Sequence, residues 1–152
     1  MKKLMQISLA GILALSFSTA VYASSDDPME KAAEYRHDVF EVLAWHFGKM
    51  GAMIKGKVEF DKDDFATRAN YVAALSAMPW EGFVEGSQGD SDSKAEIWTD
   101  KETFDNGAKM LQEKVAALVK AAESAEKVDD VKPAFMDTAK LCKGCHKKFK
   151  KD

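Results

Sequence analysis

Two cysteines, three prolines and three histidines are all that this chain of 152 residues contains. Both thiols, Cys142 and Cys145, fall within four consecutive residues, so no disulfide can staple distant parts of the chain together. An excess of one charge is missing as well: 22 Lys+Arg face 25 Asp+Glu, a formal net charge of −3. With no overall positive field to attract phosphate, a nucleic-acid partner is not expected. There is no period-2 segment of useful length, no internal repeat, no glycine-rich phosphate loop and no Ser–His–acid set, so neither a sheet nor a hydrolase or transferase is expected. The chain is read as a non-enzyme. What remains is a length suited to one domain and a hydrophobic content of 46%, ordinary for a globular protein.

The one long apolar run is at the N-terminus. Lys2 and Lys3 precede Leu4 to Val21, and Val21-Tyr22-Ala23 offers small residues where a signal peptidase reads. The run is short and polar-dotted for a spanning helix, which needs about 20 apolar residues. Residues 1–23 are therefore expected to be a cleaved secretory signal peptide. Residues 24–152 would form the mature domain, periplasmic and without a membrane segment. Removing 23 of 152 residues, two of them lysines, leaves 129 residues and a net charge of −5.

Punctuation then predicts four helices. Asp27-Pro28-Met29-Glu30 is a helix start, and Met29, Ala33, Phe40, Leu43, Phe47, Met50 and Ile54 recur on one face, with Gly56 as the stop. Asp61 caps a second helix carrying Phe65, Ala69, Val72 and Leu75, which must end near Met78 because Pro79 follows. Pro79 to Trp98 reads as a long ordered loop pinned by Trp80, Phe83 and Trp98. Thr99 to Glu102 reads as a capping box for a third helix with Phe104, Ala108, Leu111, Val115, Leu118 and Ala122 inward. Asp129 or Asp130 is expected to cap a fourth helix, with Pro133 in its first turn and Phe135, Ala139, Cys142, His146 and Phe149 along its stripe. Four amphipathic helices with short or medium connections predict an all-α, antiparallel four-helix bundle.

The chemistry sits on the last of these helices. Cys142-Lys143-Gly144-Cys145-His146 is Cys-x-x-Cys-His, the attachment signature of a c-type haem. Helical positions i, i+3 and i+4 share a face, so two thiols can add across two vinyl groups of one porphyrin while the imidazole becomes the axial ligand of the iron. A thiol–disulfide redox motif is the first alternative, but it expects a βαβ setting. Structural zinc is the second, but it needs further ligands, and His37 and His46 stand alone on another helix. The third is a chance match, against which export and the placement of the motif on the helix's inner face both argue.

Arg36 interrupts the stripe of the first helix. A guanidinium there either reaches water along its stem or pairs with an anion, for which a haem propionate suits its planar fork. Phe40 lies one turn further on. If Arg36 marks the propionates, Phe40 should cover the face of the ring opposite His146.

Together with the exported chain and the terminal motif, Tyr35-Arg36, His46-Phe47-Gly48, Leu75-Ser76-Ala77-Met78-Pro79-Trp80 and Glu96-Ile97-Trp98 resemble the cytochromes c′, the class II c-type cytochromes. The resemblance covers the whole mature chain. It implies one covalent haem c per chain, high-spin, with His146 the only protein ligand. It also implies binding of NO and CO, a possible electron-transfer role with a redox partner protein, and a homodimer through the first two helices. By the same resemblance, Arg36, His37 and Asp92 would stand at the haem edge, and Phe40, Trp80 and Phe83 in the haem pocket. Lys150 stands where many members carry an Arg beside the axial His.

The competing reading is a six-coordinate, low-spin electron-transfer cytochrome with a Met opposite His146. Met29 and Met50 lie about 16 Å and 15 Å along the helix from Phe40, at 1.5 Å per residue, too far to reach an iron beside it. Met78, Met110 and Met136 read as core filler. Two surface features complete the reading. Trp45, Ala52 and Met53 lie off the stripe and should be exposed, as in a dimer face. The Lys147, Lys148, Lys150, Lys151 run suits either a helix C-terminus or the steering of an acidic redox partner.

Overall fold

The computed structural model describes residues 27–151. The signal segment and its cleavage point lie outside the described residues. Four long helices make the bundle: α1 (Pro28–Ile54), α2 (Lys62–Ala77), α4 (Lys101–Glu123) and α5 (Val128–Phe149), with a one-turn helix α3 (Glu96–Thr99) before α4. They form an antiparallel four-helix bundle in which α2 packs on α1 and α4, and α5 packs on α4 and, more lightly, on α1. No helix among the described residues is long and apolar enough to cross a membrane.

The ends of α1 and α2 follow their local chemistry. Asp27 accepts from the Met29 N–H at 2.9 Å and Pro28 opens the first turn. At the other end Gly56 has φ +64, Gly56 N donates to Met53 O at 3.0 Å, and Lys57 N donates to Ala52 O at 2.9 Å. This is a Schellman closure, which needs the left-handed residue that glycine supplies. The Asp61 carboxylate accepts from both Asp63 N and Asp64 N at 3.0 Å, so this acidic cluster is a helix start.

Three boundaries differ from the sequence expectation. The N-cap of α4 is Asp100, because the Thr99 hydroxyl turns back to donate to Ala95 O within α3. The stretch from Pro79 to Trp98 is partly helical: Pro79–Gly82 forms a 3₁₀ turn and Glu96–Thr99 forms α3. Helix α5 begins at Val128. Asp130 lies inside its first turn and accepts from Glu126 N and Lys127 N at 3.0 and 3.1 Å, and those two bonds hold its carboxyl below the ordinary 3.8. Pro133 therefore falls in the second turn, where its missing N–H leaves one carbonyl without an intrahelical donor.

The main core collects Leu43, Met50, Met53, Phe65, Val115, Leu118, Val131 and Phe135, with Phe47 stacked on Phe135 at 4.2 Å. Met53 was expected on the surface and is instead 7% exposed. Met53 joins the core cluster that also holds Met50, Ile54 and Phe65, with Phe60 packed against it. Ala52 is half-buried. Met78, Met110 and Met136 are exposed rather than core filler, and Met29 is exposed too. Met110 and Met136 follow the buried residues Ala108 and Phe135 in their helices and so point away from the core. A second, smaller core joins Ile97, Phe104 and Phe149 with Trp80, Phe83, Trp98 and Cys145.

Candidate haem-attachment site

The second core is the wall of the site. Cys142 and Cys145 are free, half-buried thiols on one face of α5. Burial raises both thiols, and Cys145 is raised further by its neighbour Cys142. His146 follows at the exposed edge of that face. Burial and then the positive charge of Lys150 lower its pKa from 6.5, which favours the neutral imidazole that a metal needs.

Opposite these three residues lies a continuous aromatic surface. Phe40 of α1 meets the Trp80 ring edge-on at 5.7 Å and Phe83 at 6.4 Å. Phe83 packs on Phe104 at 4.8 Å, and Phe104 packs on Phe149 at 5.2 Å. Trp80 donates through Nε1 to Ser76 O at 2.6 Å, which fixes its ring. Trp80, Phe83 and Cys145 pack on this second core, and Phe40, which packs against the main core, touches the Trp80 and Phe83 rings. Phe149 comes from α5 itself, whereas Phe40 and Phe104 come from α1 and α4, and the 3₁₀ turn with its C-cap residue brings in Trp80 and Phe83.

That turn approaches α1 more closely than any side chain allows. A Cβ on Gly82 would stand 2.7 Å from the Ala32 carbonyl and 3.0 Å from Arg36 Cβ, so position 82 accepts only glycine without displacement of the backbone. The close approach places Gly82 O against the Arg36 guanidinium.

Arg36 is 3% exposed, so it does not reach water. Its Nη1 donates to Gly82 O at 2.7 Å and to Ser87 Oγ at 2.8 Å. Its Nη2 donates to Ser87 O at 2.6 Å, Ser91 Oγ at 2.9 Å and Ser93 Oγ at 3.3 Å. The guanidinium also lies 4.8 Å from the Phe83 ring centroid. Burial lowers its pKa. Every acceptor around it is neutral, and no carboxylate among the described residues pairs with it. Ser87, Ser91 and Ser93 are the site residues that sequence reasoning missed. They looked like loop filler, and their only signal was a run of hydroxyls facing a buried cation that could not yet be located.

The remaining candidates divide. His37 is exposed and joins none of these contacts, since it follows Arg36 by one residue and so leaves the inner face of α1. Asp92 pairs with Lys150 at 3.4 Å, and its carbonyl accepts from Lys151 N at 2.7 Å. Lys94 N donates to Phe149 O at 2.9 Å. The serine loop is thereby fastened to the chain just past His146, so one loop holds both Arg36 and the end of α5.

A c-type haem fits this arrangement. It would form thioether bonds to the two thiols and lay a flat apolar ring on an aromatic wall, with the buried Arg36 cation against the Phe83 ring as the nearest charge complement to its propionates. Comparison with known proteins agrees. A family model described as Cytochrome C′ matches residues 31–150. Cytochrome c′ of Halomonas halodenitrificans is 39% identical over 127 residues, covering 80% of this chain and 96% of that protein. The structure of cytochrome c prime from Shewanella frigidimarina is 47% identical with a TM-score of 0.79, covering 85% of this chain and all (100%) of that one. A nitrosyl complex of a variant of cytochrome c prime from Alcaligenes xylosoxidans aligns with a TM-score of 0.77 at 32% identity, covering 81% of this chain and 97% of that one. Sequence, bundle and relatives thus agree along nearly the whole described chain, and the protein belongs to the cytochrome c′ family, whose haem c it binds covalently.

Proposed function

We propose that the chain is exported to the periplasm after cleavage behind Ala23 and there binds nitric oxide, and carbon monoxide more weakly, with one-electron exchange as a second role and no catalytic turnover. Haem, when bound, supplies a redox-active iron that can take a diatomic ligand. The residues of this chain do the rest. Cys142 and Cys145 would hold the ring covalently, His146 would be the iron's one protein ligand, and Arg36 would supply the positive charge facing a propionate. Phe40, Trp80 and Phe83 exclude water from the ring. Asp92 acts at the edge through Lys150 and the end of α5.

The observation that carries the five-coordinate reading is the composition of the wall beside Cys145. Apart from Ile97 and Cys145 it is aromatic, and no methionine among the described residues belongs to it. Met50 and Met53 belong to the other core, and Met78, Met110 and Met136 face outward. This favours an iron with one open position over the six-coordinate, Met-ligated alternative. Phe40 then guards the ligand side. A packed phenyl ring must move before a diatomic enters, and water bonds too weakly to move it. The nitrosyl complex formed by the Alcaligenes relative supports NO as a ligand here.

A homodimer through α1 and α2 is part of the same proposal. Trp45 is 64% and Tyr71 50% exposed, beside an apolar groove of about 300 Å³ lined by Val42, His46, Tyr71, Ala74 and Leu75. Such a patch suits a self-complementary contact.

One absorption spectrum of the purified holoprotein tests the central claim. A high-spin ferric spectrum that shifts on adding NO is expected. A low-spin, six-coordinate spectrum insensitive to NO would overturn it.

A further inference from the structure

The lysines around the attachment motif form a surface whose charge is opposite to that of the protein. Between Leu141 and Lys151 the chain has five lysines and no acid, although the exported chain, two lysines short of the full sequence, is net −5. Lys143, Lys147, Lys148, Lys150 and Lys151 are all exposed. Lys148 is paired with Asp100 at 2.6 Å and Lys150 with Asp92 at 3.4 Å. Lys143, Lys147 and Lys151 have no carboxylate partner among the described residues. From the loop, Lys94 adds its Nζ, which donates to Lys147 O at 3.3 Å.

The helix dipole accounts for only part of this. It favours cations in the last turn of a helix and fades beyond it. Lys147 and Lys148 lie in that turn of α5. Lys143 lies more than a turn earlier, between the two cysteines, and Lys150 and Lys151 lie past the helix end. What the five share is nearness along the chain to Cys142, Cys145 and His146.

Resting on the haem-site reading above, we propose that this patch is the docking surface for an acidic, one-electron redox protein. The partner's carboxylates face Lys143, Lys147 and Lys151, and one electron passes between its redox group and the haem iron with no bond made or broken. The patch does not suit a lipid surface. Interfacial helices combine basic residues with exposed Trp, Phe or Leu, and no large hydrophobic side chain between Leu141 and Lys151 is exposed, Phe149 being buried.

The test uses the holoprotein and an acidic flavodoxin as a model partner, with binding followed by calorimetry at about 10 mM ionic strength, where the screening length is about 30 Å. Binding that weakens with added salt is expected. The pair Lys143→Glu, Lys147→Glu should weaken it about ten-fold or more, as removal of a steering patch does. Lys120→Glu with Lys132→Glu changes the net charge equally but lies away from the motif, and should leave binding near the wild-type value. Reduction of the ferric holoprotein by the Fe(II)–EDTA dianion should follow the same order. No binding, equal weakening by both pairs, or binding only to phosphatidylglycerol vesicles would overturn the proposal. Failure of the haem reading would show separately, as a purified chain without a haem spectrum.

Discussion

Replacing Arg36 by alanine removes five hydrogen bonds at once, at 2.6 to 3.3 Å, from a guanidinium that is 3% exposed. A hydrogen bond to a charged group contributes about 1.5–3 kcal/mol net. Five such bonds to one side chain do not add, and the variant also recovers the cost of burying the cation. Against that, the buried Ser87 carbonyl loses its donor and Gly82 O keeps only the longer bond from Ser87 Oγ at 3.3 Å, and an unsatisfied buried group costs about 1–3 kcal/mol. The expected loss is about 3–5 kcal/mol, near the upper end for single substitutions. With a urea m-value of about 1.5 kcal/mol/M, the midpoint of the holoprotein should fall by about 2–3 M. Arg36→Lys keeps the charge but offers three donors instead of five, and should fall between the two. Arg36→Ala should also lower the reduction potential, because a cation beside a propionate stabilises the more negatively charged, reduced state, whereas Arg36→Lys should hold it closer to the wild-type value. A midpoint loss below about 1 kcal/mol would refute the claim that Arg36 clamps the loop. A normal loss with an unmoved potential would refute its pairing with the haem.

Phe40→Ala should speed CO association on the order of 10- to 100-fold, taking the displacement of a packed ring as about 1–3 kcal/mol; equal stopped-flow rates would remove Phe40 from the ligand path. Tyr71→Lys, placing a charge beside the α1–α2 groove, should convert a micromolar dimer to a monomer by light scattering, while a wild type that is already monomeric would remove the dimer proposal. For Asp130 the sign is fixed by its carboxyl lying below the ordinary 3.8, through bonds from Glu126 and Lys127 N–H. Its contribution is present above that value and is lost as pH falls through the lowered folded one. Asp130→Ala should therefore melt lower than wild type at pH 7, with the two curves converging as the pH falls through the lowered folded pKa.

The sequence by itself determined the helices and the chemistry of the attachment site. Helical periodicity and capping are local, so the starts at Asp27 and Asp61 and the stop at Gly56 could be read from neighbouring residues. Cys142, Cys145 and His146 are likewise joined by helical spacing alone, and Phe40, Trp80 and Phe83 were legible as aromatic anchors. Where two local signals competed, geometry chose between them: Asp100 caps α4 because the Thr99 hydroxyl is committed to α3. Other features belonged to the tertiary structure because their partners are far apart in the chain. The burial of Met53 depends on the main core that α1 and α2 share with the later helices, and the outward turn of Met110 and Met136 depends on where their helices meet the core. Most of all, the fate of Arg36 was open in the sequence. Periodicity placed a cation on the inner face, but only the close approach at Gly82 and the return of a serine loop 51 to 57 residues away could satisfy it without water.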